Sequence, residues 1–185
     1  MKAKRRLIAA SSLIVAVAAA FSLWFLFSDS SQGDCSTFFS WYEVKVGYIN
    51  DKGDYVILPK FESAYGFAPN GLAAVLINGK WGYINDKGDY VIPPKFGLAN
   101  TFASNGLAAV TKNCEKWGYI NDKGDYVILP KFERLTSFAT YDLAMVKVNG
   151  KWGYINDKSD YVIPPKFDAV SEFGANGLAL AGIKK

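Results

Sequence analysis

The chain has 185 residues, 21 Lys and Arg against 17 Asp and Glu, and half of its residues are hydrophobic. Four of the basic residues, Lys2, Lys4, Arg5 and Arg6, sit in the first six positions, which leaves 17 basic against 17 acidic from residue 29 onward. A neutral body has no electrostatic pull on a phosphate backbone, so nucleic acid is excluded as the expected partner. There is no histidine, which excludes Ser-His-Asp and Cys-His nucleophiles and His-ligated zinc.

Residues 1–6, MKAKRR, read as a short cytoplasmic tail. Leu7–Phe27 follows, 21 uncharged residues. At about 1.5 Å per residue it would be roughly 31 Å long, enough to cross a bilayer core. It is longer than a cleavable apolar segment of about 7–15 residues. Ala18 and Ala20 form an A-x-A cleavage pattern, but cutting there would leave FSLWFLF at the new terminus. The expectation is an uncleaved signal anchor in the inner (cytoplasmic) membrane, single-pass, with the N-terminus inside by the positive-inside rule. The repeats would then be periplasmic or extracellular. The alternative is cleavage and secretion. Residues 28–40 read as a polar linker opening with SDSSQGDCS. Gln32, Gly33 and Asp34 before Cys35 do not suit a lipoprotein signal. Cys35 and Cys114 allow one internal bridge, one intermolecular bridge or none.

Residues 41–185 form the predicted folded domain. GYIND begins at Gly47, Gly82, Gly118 and Gly153, at spacings of 35, 36 and 35 residues. A fixed period of this size marks a repeat architecture. A second period of 71 residues is superimposed, because Gly47–Glu62 and Gly118–Glu133 are identical and the other two copies carry Pro-Pro for Leu-Pro. Each unit is expected to hold three short antiparallel strands. Leu72–Ile77 leads through Asn78-Gly79, a strong hairpin signal, into Lys80-Trp81-Gly82-Tyr83. Asn85-Asp86-Lys87-Gly88-Asp89 suits a three-residue hairpin with glycine in the left-handed position. Its expected register sets Asn85 against Asp89, Ile84 against Tyr90 and Gly82 against Ile92. The third strand is expected to end at the prolines, which cannot continue a ladder. Asn149-Gly150 repeats the first turn, and Asn113-Cys114-Glu115 lengthens it.

Strand alternation places Trp81, Tyr83 and Val91 on one face, and Ile84, Tyr90 and Ile92 on the other beside Gly82. Both faces are apolar, so each unit must be covered on both sides by its neighbours. The fold class expected is an all-β repeat protein of about four 35-residue units, stacked or closed into a ring. Val44–Ile49 begins at a second strand and Leu178–Ile183 is a first strand, so pairing of the two would close a ring. The competing arrangement is an open array.

Lys-Trp-Gly-Tyr-Ile, then Asp-Lys-x-x-Tyr-Val-Ile-Pro-Pro-Lys-Phe, then Asn-Gly-Leu-Ala, resembles the WG-repeat (KWG-repeat) family of bacterial proteins, over about Val44 to Ile183. That resemblance implies a β-rich scaffold, often attached to a signal or membrane segment, and an interaction module without an implied reaction. Val46 for tryptophan, Ser159 for glycine and the 113–115 insertion depart from the pattern.

Asp51, Asp86, Asp122 and Asp157 recur with the turn, whereas an active site usually breaks repeat symmetry, so the chain is expected not to be an enzyme. NDKGD lacks the D-x-[DN]-x-[DN]-G order of a calcium loop, and no cofactor or metal is expected. Trp81, Trp117 and Trp152 are read as core residues, with sugar stacking as the alternative. The stretches after each Lys-Phe differ most between copies, and repeat proteins place recognition on their variable face. Tyr65, Asn100, Arg134 and Glu172 are the candidate partner-binding residues. The expected partner is a protein of the cell envelope, the alternative a cell-wall glycan.

Overall fold

The computed structural model describes residues 44–184. The tail, the 7–27 anchor, the linker and Cys35 lie outside the described residues. Among the described residues, sixteen strands make three four-stranded sheets and two two-stranded half-sheets. The first half-sheet pairs β1 (Val46–Ile49) with β2 (Tyr55–Phe61). The next sheet runs β3 (Ser63–Ala64), β4 (Ala73–Ile77), β5 (Lys80–Ile84) and β6 (Tyr90–Phe96) in sequence order. The same meander recurs in β7 (Leu98–Ala99), β8 (Ala108–Thr111), β9 (Trp117–Ile120) and β10 (Tyr126–Phe132). It recurs again in β11 (Arg134–Leu135), β12 (Ala144–Val148), β13 (Lys151–Ile155) and β14 (Tyr161–Phe167). The last half-sheet is β15 (Ala169–Val170) with β16 (Ala181–Gly182). All pairings are antiparallel.

Each interior unit therefore holds four strands, not the expected three. The extra strand opens the variable stretch: Ser63 and Ala64 pair with Leu76 and Val75. Its two residues are too short to leave a sequence signal.

The third strand does not stop at the prolines. β6 runs through Pro93 and Pro94 to Phe96, and Trp81 pairs with Phe96 while Tyr83 pairs with Ile92. A step of two residues on β5 thus spans four on β6. The proline pair sits in this bulge on an edge strand, where no ladder N–H is needed. A second irregularity leaves Ile84 opposite Tyr90, so Val91 is the extra residue and Gly82 does not face Ile92. The slip also reassigns the faces. Ile92 joins Trp81 and Tyr83 in one core, and Val91 and Tyr90 point to solvent. The turn itself follows expectation: Asn85 N–H donates to Asp89 O at 3.0 Å, Gly88 N–H to Asn85 O at 3.0 Å, and Gly88 has φ +83°. Asn85 Oδ1 accepts from Lys87 and Asp89 N–H, both at 3.0 Å, which explains the asparagine. Ser159 takes the glycine position at φ +69°, and its Oγ accepts from Lys131 Nζ at 2.8 Å.

The sheets stack face to face through three cores. Ile57 and Phe61 of the first half-sheet cover Ala73, Val75 and Ile84. Ala74, Leu76, Trp81, Tyr83, Ile92 and Phe96, on the other face of that second sheet, cover Ala108, Val110 and Ile120. Ala109, Tyr119, Ile128 and Phe132 then cover Ala144, Val146 and Ile155. Each unit does supply a wall of its neighbour's core. Among the described residues β1 pairs only with β2 and β16 only with β15, so the array is open and the ring does not close within the chain. Cys114, in the turn before β9, is disulfide-bonded.

Candidate interaction surface

The tyrosine of each GYI holds down the variable stretch that follows it. Tyr48 Oη donates to Tyr65 O at 2.8 Å, Tyr83 to Asn100 O at 2.7 Å and Tyr154 to Ser171 O at 2.7 Å. Tyr119 donates likewise to Thr136 O. A phenylalanine two residues beyond each acceptor packs on the same tyrosine, with ring centroids 4.8 Å apart for Tyr48–Phe67, Tyr83–Phe102 and Tyr119–Phe138, and 4.9 Å for Tyr154–Phe173. Burial raises the Tyr48 pKa to about 12 and pushes the Tyr83, Tyr119 and Tyr154 hydroxyls up as well. These hydroxyls are structural donors and stay protonated.

This framework places the four candidate residues in different roles. Tyr65 is half-buried and stacks on Trp81, centroids 5.2 Å apart. The Asn100 carbonyl is engaged by Tyr83, and its Nδ2 reaches Ser137 Oγ at 3.4 Å. Arg134 lies in β11 opposite Lys147. Glu172 is exposed beside a crevice of about 10 Å³, lined also by Thr136, Met145, Tyr154 and Phe173, with room for a single water. The repeated phenylalanines, visible at 67, 102, 138 and 173, were the signal that these stretches are partly framework.

Trp81 is 2% exposed and has no ring face left for a sugar. Trp117 and Trp152 are half-buried. A Cβ on Gly82 would lie 2.7 Å from both Ile92 O and Pro94 N, so the bulged backbone of β6 crosses directly over it.

A repeated set of exposed apolar side chains lies on the opposite edge instead. On β2, β6, β10 and β14 the buried Ile57, Ile92 and Ile128, and the half-buried Ile163, alternate with outward residues. Val56 and Leu58, Val91, Val127 and Leu129, and Val162 point to solvent, with Leu58 70% and Leu129 69% exposed. Tyr55, Tyr90 and Tyr161 extend this stripe. Exposed lysines close one end of every strand: Nζ of Lys60, Lys95, Lys131 and Lys166 lies 5.1–5.2 Å from the centroid of the next phenylalanine. The Asp-Lys turns close the other end. A repeated apolar row of this kind marks an interaction site more often than a bare surface. The sequence pattern missed it because the bulge at Val91 inverts the face assignment.

No curated protein matches the chain. The profile of the WG containing repeat matches residues 47–81, 81–113, 117–152 and 152–185. Those four matches cover most of the chain, each taking in strands of two successive sheets, and the chain belongs to this WG-repeat family.

Proposed function

We propose that the chain is a membrane-anchored, extracytoplasmic and non-catalytic scaffold that binds a protein partner in the cell envelope through the apolar stripe of β2, β6, β10 and β14. The exposed Val56, Leu58, Val91, Val127, Leu129 and Val162 carry this reading. Prolines at 59, 93, 130 and 164 blunt these edge strands against indiscriminate strand pairing. Recognition then runs through side chains, and the fitting partner presents an elongated apolar face with carboxylates for Lys60, Lys95, Lys131 and Lys166. The 7–27 segment supplies the anchor in this proposal. The wall-glycan alternative gains no support from Trp81, whose ring is enclosed.

The test uses a photo-crosslinking residue at position 129 in the full chain in membranes, with position 172 as the comparison. One protein captured from 129, and lost when Val91 and Val127 are changed to Asp, supports the stripe. Capture from 172 alone would move the surface to the variable stretches. Release of wall fragments in place of a protein would revive the glycan reading.

A further inference from the structure

The two half-sheets are complementary parts of one unit. β15 and β16 occupy the positions of β3 and β4, and β1 and β2 those of β5 and β6. The last half-sheet follows the interior path closely. Ala169 and Val170 pair with Gly182 and Ala181 as Ser63 and Ala64 pair with Leu76 and Val75. Lys184 N–H donates to Asp168 Oδ2 at 2.8 Å, as Asn78 N–H donates to Glu62 Oε1 at 2.8 Å. Lys151 Nζ also meets Asp168 Oδ1 at 2.7 Å, and these two bonds hold the Asp168 carboxyl below its ordinary pKa.

The Leu180 and Gly182 carbonyls accept from Ser171 and Asp168 N–H and so point to β15. By strand alternation the backbone groups of Ala179, Ala181 and Ile183 point away from it, to an edge with no strand beside it among the described residues. Among the described residues the outer edge of β1 has no strand beside it either. Both edges are apolar: Leu180 is 79%, Ile183 69% and Ile49 60% exposed, although the interior equivalent of Ile49, Ile84, is fully buried. The array already solves this pairing three times, in β4 with β5, β8 with β9 and β12 with β13.

We infer that the open edge of β16 pairs with β1 of a second copy of this chain, so that two half-sheets complete one four-stranded unit and the stack continues from copy to copy. The register is set by the interior pairs Ala73 with Ile84, Val75 with Gly82 and Leu76 with Trp81. Carried over, it sets Ala179 against Ile49, Ala181 against Gly47 and Gly182 against Val46 of the next copy. The completed sheet lays Ile49 toward the half-buried Trp152 and Ile163. The contact is head-to-tail, so it propagates into a filament or closes a ring of copies. It is separate from the apolar stripe, which it lengthens.

The test mixes full-length chains in detergent, one batch carrying Ile49→Cys and the other Ala179→Cys. Opposed residues of antiparallel strands have Cα atoms about 4.5–5.5 Å apart, within disulfide reach. The expected result is an interchain disulfide joining positions 49 and 179 after mild oxidation, absent from the unsubstituted chain and lost on adding Ala181→Pro to the second batch. Sedimentation equilibrium of the unsubstituted chain should show mass rising with concentration. Failure of the 49–179 disulfide in the mixture would overturn the inference. So would its closure within one chain carrying both cysteines, or a monomeric mass at every concentration.

Discussion

Gly82 shows how one residue can fix the local architecture of a whole unit. A methyl group there would meet Ile92 O and Pro94 N at 2.7 Å, both backbone atoms that cannot swing aside. Gly82→Ala is expected to cost about 3 kcal/mol, the upper range of overpacking. Gly79→Ala meets nothing within 4 Å and loses only the freedom of its φ of +68°, so it should cost about 1 kcal/mol. Urea melts of the two variants check the difference, and equal losses would mean that the bulge does not cross the glycine. The tyrosine hydroxyls give a second expectation. The folded Tyr48 pKa is raised to about 12 from the ordinary 10, so the fold favours the protonated form. Its contribution is complete below pH 10 and is lost as the pH rises toward about 12. Urea stability should fall over that range as the tyrosinate absorbance rises, and Tyr48→Phe should flatten part of the slope.

At the scale of elements, the 71-residue superperiod acquires a cause. Glu62 accepts from Asn78 and Gly79 N–H at 2.8 and 3.2 Å, and Glu133 from Asn149 and Gly150 N–H at 2.7 and 3.1 Å. The other interior unit has Gly97 in place of glutamate, and its turn is the longer one that carries the disulfide-bonded Cys114. Glutamate after Lys-Phe therefore travels with Asn-Gly sixteen residues on. Glu133→Ala should cost about 1–2 kcal/mol, since a charged acceptor for two N–H groups is removed from a partly exposed site. Hydrogen exchange should speed at Asn149 and Gly150 and stay unchanged at Asn78 and Gly79. The hairpins were legible in the sequence because Asn-Gly and Asn-Asp-Lys-Gly-Asp have specific turn chemistry. The bulges were not, since they arise from the crossing of β6 over Gly82 and from proline tolerance at an edge. Their consequence, the outward turn of Val91, hid the apolar stripe and left the variable stretches as the more visible candidates. Tyr65 shows the limit of that choice: its neighbours vary between copies, yet its ring packs against the core.

For the whole molecule, stability should follow the stack, because each sheet touches only its neighbours. Ile92 and Ile163 occupy the same position in their sheets. Ile92 is buried between two full sheets, and Ile163 faces only the last half-sheet and is half-exposed. Truncating Ile92 to alanine removes the same atoms as truncating Ile163, but only the first opens a cavity. Ile92→Ala should cost about 3–4 kcal/mol and Ile163→Ala about 1 kcal/mol when the chain is dilute. The second value is also a probe of assembly. If β1 of another copy completes the last unit, Ile163 becomes an interior residue. Its truncation should then cost more as protein concentration rises, while the cost at Ile92 stays constant. Thermal melts of both variants across a range of concentrations measure this directly. A penalty at Ile163 that does not change with concentration would leave the stack ending where β16 ends.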